Sequence, residues 1–367
     1  MNGISHFLEH MFFKGTKTKN AKEIAEAFDA IGGQVNAFTS KEYTCYYAKV
    51  LDEKAAYALD LLADMFFHSV FDGEELIKER NVVLEEINMY EDSPDEMVHE
   101  LLCEASFGDH PLAKSILGTK ETLLQFDRST LETHRKKFYT PENVVISVAG
   151  NVQDNFIPII ENKFGTYQSS HEKPKLERPT FYPNRVMRQK DTEQTHLCLG
   201  FPGLPYGDER MYHLAVLNNL LGGSMSSRLF QEIREKKGMA YSVFSYHSSF
   251  IDAGLLAIYA GTAPEQAKNV YETILETINA VKEQGIAKRE LENSKAQLKG
   301  NLMLSLESTN SRMSRNGKNA LLLGRQISIN EMLANIESVT LEQVNELAAE
   351  ILKPQFSVSS ISPGPLM

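Results

Sequence analysis

The stretch His6-Phe7-Leu8-Glu9-His10 decides how the rest of this chain is read. Around it Ile4, Phe7, Leu8, Met11 and Phe12 recur at i, i+3, i+4, i+7 and i+8, which predicts an amphipathic helix with its apolar stripe on a core. The stripe centres opposite His6, with Glu9 and His10 flanking that histidine on the polar side. Asn2 or Ser5 is expected to cap the helix, and Lys14-Gly15 to end it. Two imidazoles one turn apart and a neighbouring carboxylate then face one point in space. H-x-x-E-H on a helix is the pattern of a zinc site that carries its own proton acceptor.

Composition narrows the remaining choices. A chain of 367 residues exceeds one average core, so two domains are expected. With 42% apolar and 24% charged residues it is an ordinary globular sequence. No apolar run approaches the roughly 18 residues of a membrane-spanning helix, and no secretory signal is visible, so no membrane partner is expected. Cys45, Cys103 and Cys198 are odd in number and form no C-x-x-C, so they read as reduced thiols. That suggests a cytoplasmic setting and argues against thiolate zinc. A net charge of −11 argues against nucleic acid and leaves basic peptides as a better match.

Taken in order, residues 21–31 form a second amphipathic helix stopped by Gly32-Gly33, and residues 34–50 alternate as a strand or hairpin. Helices are expected over 54–70 and 73–91, the latter dense in acid. On it Glu79 and Glu86 are seven apart and share a stripe, whereas Glu74, Glu75 and Glu85 read as a solvated face. Helix continues to about 106 and resumes over 121–138, and Asn143–Ala149 reads as a buried strand closed by Gly150. Residues 168–184, with three prolines and no periodicity, are the expected linker.

The second half has a similar order: helices 210–221 and 225–236, strands 239–248 and 251–260, helices 264–283 and 287–306, and a strand over 356–361. Thr340-Leu341-Glu342 opens a helix leading to a proline and a strand, as Thr130-Leu131-Glu132 does in the first half. The expectation is a duplicated α+β domain, each copy a mostly antiparallel sheet with helices on one face. Residues 1–167 form the zinc-binding copy and 185–367 a homologous copy that lacks H-x-x-E-H. Met1 stands five residues before His6, so strands preceding the first helix are expected to be missing from the first sheet.

The HFLEH stretch, the 76-position step from His10 to Glu86, and Glu79-Arg80-Asn81-Val82-Val83-Leu84-Glu85-Glu86 together resemble the inverted zinc-motif peptidases. That is the family of pitrilysin, insulin-degrading enzyme and the β subunit of mitochondrial processing peptidase, and the likeness is greatest to its bacterial processing-protease-like members. The resemblance implies one zinc ion per chain, held by His6, His10 and Glu86. It implies Glu9 as general base, and Glu79 as a supporting carboxylate of the catalytic set that orients a ligand.

The resemblance also makes Gly32–Ser40, and within it Asn36, Ala37 and Phe38, the strand that takes up a peptide substrate as an added β-strand; composition alone fits a plain edge strand equally well. Arg234 and Tyr241 are implied as substrate-binding residues near the scissile bond. His110 and His196 are read as structural. The expected activity is zinc-dependent cleavage of peptides or unfolded segments. Because the family's chamber needs two such two-domain units, a homodimer is expected, with a related partner subunit as the variant. The alternative is a non-catalytic partner or scaffold subunit. Relatives of that kind have lost ligands that this chain retains.

Overall fold

The computed structural model describes residues 1–168 and 176–365, so 169–175 of the expected linker lie outside the described residues. In chain order it has α1 (Ile4–Phe12), α2 (Ala21–Asp29), β1 (Gln34–Thr39), β2 (Thr44–Lys49), α3 (Ala55–His68), α4 (Gly73–Asp92), α5 (Pro94–Phe107), α6 (Lys120–Leu124), α7 (Arg128–Phe138) and α8 (Phe156–Phe164). There follow β3 (Arg185–Gln189), β4 (Thr195–Pro202), α9 (Met211–Leu221), β5 (Ala240–Ser249), β6 (Gly254–Thr262), α10 (Ala267–Gln284), α11 (Lys288–Ser305), α12 (Thr309–Leu323), α13 (Ile329–Ser338), α14 (Leu341–Ile351) and β7 (Ser357–Ser362). Two compact units result. Unit 1 is Met1–Met89, Ser115–Leu176 and Ser308–Leu321; unit 2 is Tyr90–Lys114, Glu177–Glu307 and Leu322–Met367. The units are discontinuous in sequence, whereas the composition-based division at 168–184 is contiguous.

In unit 1 the α1 stripe is fully committed to the core: Phe7, Leu8 and Met11 are 0% exposed and Phe12 is 1% exposed. Burying each such side chain stabilises by about 1.5–3 kcal/mol. Phe7 packs on Phe126 and Phe12 against Tyr46 and Phe71. The start of α1 differs from expectation. Its cap is Gly3 at φ 85, with no side-chain cap bond, and Ser5 Oγ instead lies 3.2 Å from His134 Nε2. A Cβ on Gly3 would meet Gly118 Cα and Leu117 O at 2.7 Å, so two glycines let backbone rest on backbone here. Gly15, at φ 124, turns the chain away at the other end as expected.

Beyond that turn, Thr16 and Thr18 both donate to Asp64 of α3, at 2.7 and 2.8 Å. α2 begins with a capping box, Asn20 with Glu23. Its Ile24 and Phe28 pack with Ala58, Leu61 and Met65 of α3, and Val35 and Ala48 of the β1–β2 hairpin join them. The predicted helix 121–138 is interrupted: α7 restarts on Asp127, which accepts from Thr130 N at 2.7 Å. The helix therefore opens before Thr130, while α14 opens on Thr340 itself. Residues 144–149 form no regular element and pair with no strand among the described residues. Val145 and Val148 are exposed, so the apolar run lacks the ladder its composition suggested.

Unit 2 holds a five-stranded sheet, order β3-β7-β4-β6-β5, in which β3 and β7 are parallel and the other pairs antiparallel. Its central strands are buried on both faces. Leu197, Leu199 and Phe201 of β4 face α9, α10 and α14, while Cys198 faces Val98, Leu101 and Leu102 of α5. Helices thus cover two faces of this sheet rather than one, because α5, read with the first half of the sequence, packs in unit 2. The α+β class stands. Unit 1 contributes a two-stranded hairpin to it. All three cysteines are free thiols, as expected, and burial pushes the Cys198 thiol up.

Candidate metal centre

α1 and α4 bring the first three predicted donors together. His6 Nε2 and His10 Nε2 lie 3.2 Å apart, and Glu86 Oε2 lies 3.6 Å from the former and 3.8 Å from the latter. Atoms bound to a tetrahedral zinc at about 2.0–2.1 Å are about 3.3 Å from one another, so the spacing fits one ion with little adjustment. Glu86 Oε2 and His6 Nδ1 are buried without a hydrogen-bond partner among the described residues. The unpaired carboxylate oxygen is aimed at the two imidazole nitrogens. Among the described residues, His6, His10 and Glu86 are the one group of three or more acidic, histidine or cysteine side chains close enough to share an ion.

The surroundings set the charge of each donor. Burial, reinforced by the nearby His10, lowers the His6 pKa to about 4, so its imidazole is neutral at neutral pH. For His10, burial lowers the pKa, but the bond and charge of Glu79 outweigh it and the net direction is upward. Its Nδ1 lies 2.8 Å from Glu79 Oε1, which leaves Nε2 facing His6 and Glu86. Glu79 is 4% exposed, on the stripe that also carries Leu76, Val83 and Ile87. Burial raises its pKa, but the bonds from His10 and Lys14 prevail and hold it low, the Lys14 Nζ contact being 2.5 Å. Burial also raises Glu86.

Glu9 points from the same helix and is 7% exposed. Burial raises its carboxyl, opposed by the Thr39 hydroxyl, which donates to Oε2 at 2.5 Å. Thr44 Oγ1 backs Thr39 at 3.1 Å. Thr39 closes β1, the strand that also carries Asn36, Ala37 and Phe38. β1 pairs with β2 along one edge, Asn36 opposite Tyr47 and Phe38 opposite Cys45, and no strand among the described residues pairs with its other edge. Asn36 Oδ1 accepts from Ala37 N at 2.8 Å, and Phe38 is 37% exposed.

Arg234 and Tyr241 belong to unit 2, whereas His6, His10 and Glu86 belong to unit 1. The Arg234 guanidinium lies 4.8 Å from the Phe230 ring and 4.9 Å from the Tyr241 ring, and Tyr241 is 79% exposed. Arg234 lies on a π-helical turn, Phe230–Lys236, where an α-helix was predicted. His110 and His196 have local roles: His110 takes Leu112 N and reaches Glu177 O, and His196 bonds the Tyr259 hydroxyl. Sequence reasoning missed Lys14, Thr39 and Arg80. The last anchors α4 beside Glu79 through the carbonyls of Leu123 and Phe126, at 3.1 and 2.8 Å.

Fold and donors define a candidate metal-centre protein of the H-x-x-E-H class, and known proteins specify the family. Residues 1–120 match "Insulinase (Peptidase family M16)" and residues 125–298 match "Peptidase M16 inactive domain". The chain is 61% identical over 363 residues to the uncharacterized zinc protease YmxG of Bacillus subtilis, covering 99% of this chain and 89% of that one. An uncharacterized zinc protease of Streptomyces coelicolor is 41% identical, with 99% and 81% covered. The chain belongs to the M16 peptidase family. Its fold is that of a peptidase M16 inactive domain from Pseudomonas fluorescens (TM-score 0.92, 21% identity, 99% of this chain and 89% of that one). A protease from Helicobacter pylori shares it too (TM-score 0.91, 23% identity, 99% and 89%). No helix among the described residues is long and apolar enough to cross a membrane.

Proposed function

We propose that this chain is a zinc-dependent endopeptidase acting on peptides or unfolded segments. The observation that carries the reading is the set of distances among His6 Nε2, His10 Nε2 and Glu86 Oε2, three side chains that would hold one zinc ion. Bound there, zinc supplies a Lewis acid that acidifies a water and polarises a peptide carbonyl. Neutral His6, and His10 oriented by Glu79, present nitrogen lone pairs to it. Glu9 Oε1, not occupied by Thr39, takes the proton from the attacking water and delivers it to the leaving amine. The free edge of β1 receives the substrate as an added strand, main chain to main chain, with Asn36, Ala37 and Phe38 alongside.

A second copy completes the chamber by supplying Arg234 and Tyr241, a reading supported by the family resemblance and by the exposure of Tyr241. Three free thiols support a cytoplasmic setting. The inactive-domain match favours a scaffold reading for residues 125–298, but every metal donor lies within residues 1–120.

The test measures metal content and cleavage of a quenched peptide. Wild type is expected to carry zinc and to lose activity to a chelator. Glu9→Gln is expected to retain zinc and lose at least about 100-fold in turnover. Activity untouched by both treatments would refute the enzyme reading. Glu9→Gln chains mixed with Arg234→Ala/Tyr241→Phe chains are expected to regain activity, and confirmed mixed dimers without recovery would refute the shared site.

A further inference from the structure

We propose that Lys14 is a positioning residue of the metal centre, acting through Glu79 to fix the His10 imidazole with Nε2 turned toward His6 and Glu86. The proposal rests on the zinc reading above. Lys14 follows His10 by four residues, and both side chains reach one carboxylate across to α4. His10 Nδ1 holds Oε1 at 2.8 Å and Lys14 Nζ holds Oε2 at 2.5 Å. With a donor on each oxygen, the carboxylate has one orientation, and the ring that donates to it has one as well. The Glu79 side chain is 5% exposed and that of Lys14 is 27% exposed, so water competes weakly for the contact.

The backbone that carries Lys14 is also held. Phe13 N and Lys14 N close the last turn of α1 on His10 O and Met11 O, and Val70 N donates to Gly15 O at 3.2 Å. Thr16 pairs with Ser69 in an isolated bridge, and Thr16 and Thr18 are fixed on Asp64. The ammonium is therefore delivered to Glu79 from a fixed point rather than from a swinging surface loop. One carboxylate clips α1 to α4, and these are the two helices whose donors must meet for three ligands to share an ion. Other lysines of the segment do not share this geometry: Lys17 is exposed, and its backbone N–H donates to His68 O.

The test is zinc affinity of the full chain by competition with a chromogenic chelator, for wild type, Lys14→Met, Lys14→Arg, Glu79→Gln and the Lys14→Met/Glu79→Gln pair. Lys14→Met is expected to weaken binding about tenfold and Lys14→Arg less than about threefold, with Lys17→Met at wild-type affinity. In the Glu79→Gln background, removing Lys14 is expected to cost less than about twofold more, because its route to His10 has already gone. Wild-type affinity in Lys14→Met, or losses that simply add in the pair, would overturn the proposal. Thermal unfolding of the metal-free variants separates a misfolded chain from a loosened site. A folded wild type that binds no zinc, or whose binding survives His10→Ala, overturns the metal reading itself and the Lys14 proposal with it.

Discussion

Thr39→Val replaces one hydroxyl by a methyl and keeps the β-branched shape that suits β1. The hydroxyl it removes donates to Glu9 Oε2 at 2.5 Å, on a carboxylate that is 7% exposed. A hydrogen bond to a charged acceptor is worth about 1.5–3 kcal/mol, and about 1.4 kcal/mol is tenfold in rate. The expected loss in kcat/KM is therefore about 10- to 100-fold, provided the bond persists while Glu9 handles the proton. The pH profile carries a second signature. Burial raises the Glu9 carboxyl and Thr39 opposes that rise, so its loss lifts the pKa further. Glu9 must be ionised to accept a proton, and so the acid limb of kcat/KM moves to higher pH. The assay is quenched-peptide cleavage across pH with zinc content measured in parallel, and Thr39→Ser is expected to recover most of the activity. Wild-type kcat/KM with an unmoved acid limb in Thr39→Val would refute the assignment. Loss of zinc would show that Thr39 holds the donors and not the base.

Gly118→Ala places a Cβ 2.9 Å from Asn2 O at φ +80. The left-handed penalty is about 1–2 kcal/mol before any clash, so thermal unfolding should fall by roughly 3–8 °C with a parallel loss of zinc affinity. Burial lowers the His134 pKa to about 4, below the ordinary 6.5, so between those values the unfolded state binds more protons than the folded one. Stability from this group is full above pH 6.5 and is lost as pH falls toward 4, at up to about 1.4 kcal/mol per pH unit. Chemical denaturation of the metal-free chain at several pH values should show it, and His134→Gln should flatten the slope. Arg80→Met removes both carbonyl contacts that tie α4 to α6 and to the residues just after it. An expected destabilisation of about 2–4 kcal/mol, read by urea unfolding, should come with weaker zinc binding.

The helices that carry the donors were legible because their apolar periodicity is strong: α1, α2, α3 and α4 fall within a few residues of where the pattern puts them. The stripe shared by Glu79 and Glu86 was readable too, though not that Glu79 lies among buried apolar residues with Lys14 on its far oxygen. Long-range partners were hidden. Thr39 meets Glu9 from 30 positions away and Gly3 rests on Gly118, and neither contact leaves a periodic trace. Periodicity reports which face is covered and not what covers it. For the same reason α5 was read with the first half, although its apolar face packs on the sheet of unit 2. Asn143–Ala149 failed differently, since β-branched composition favours extended backbone but pairing needs a neighbour. The π turn under Arg234 has the apolar spacing of an ordinary helix, and nothing in its residues marks the wider winding.

The glycine contact at the start of α1 has a consequence for the order of events during synthesis. Leu117 and Gly118, on which the first turn of the helix bearing His6, Glu9 and His10 rests, are made more than a hundred residues after that helix. At about 5–20 residues per second, the interval is on the order of 10 s. For that time Phe7, Leu8, Met11 and Phe12 have no Phe126 or partner loop to cover them, and they present an apolar stripe to any chaperone at the tunnel exit. The helix that carries the donors is made well before the loop that seats it, so a fully seated metal centre has to wait for the chain well beyond Glu86.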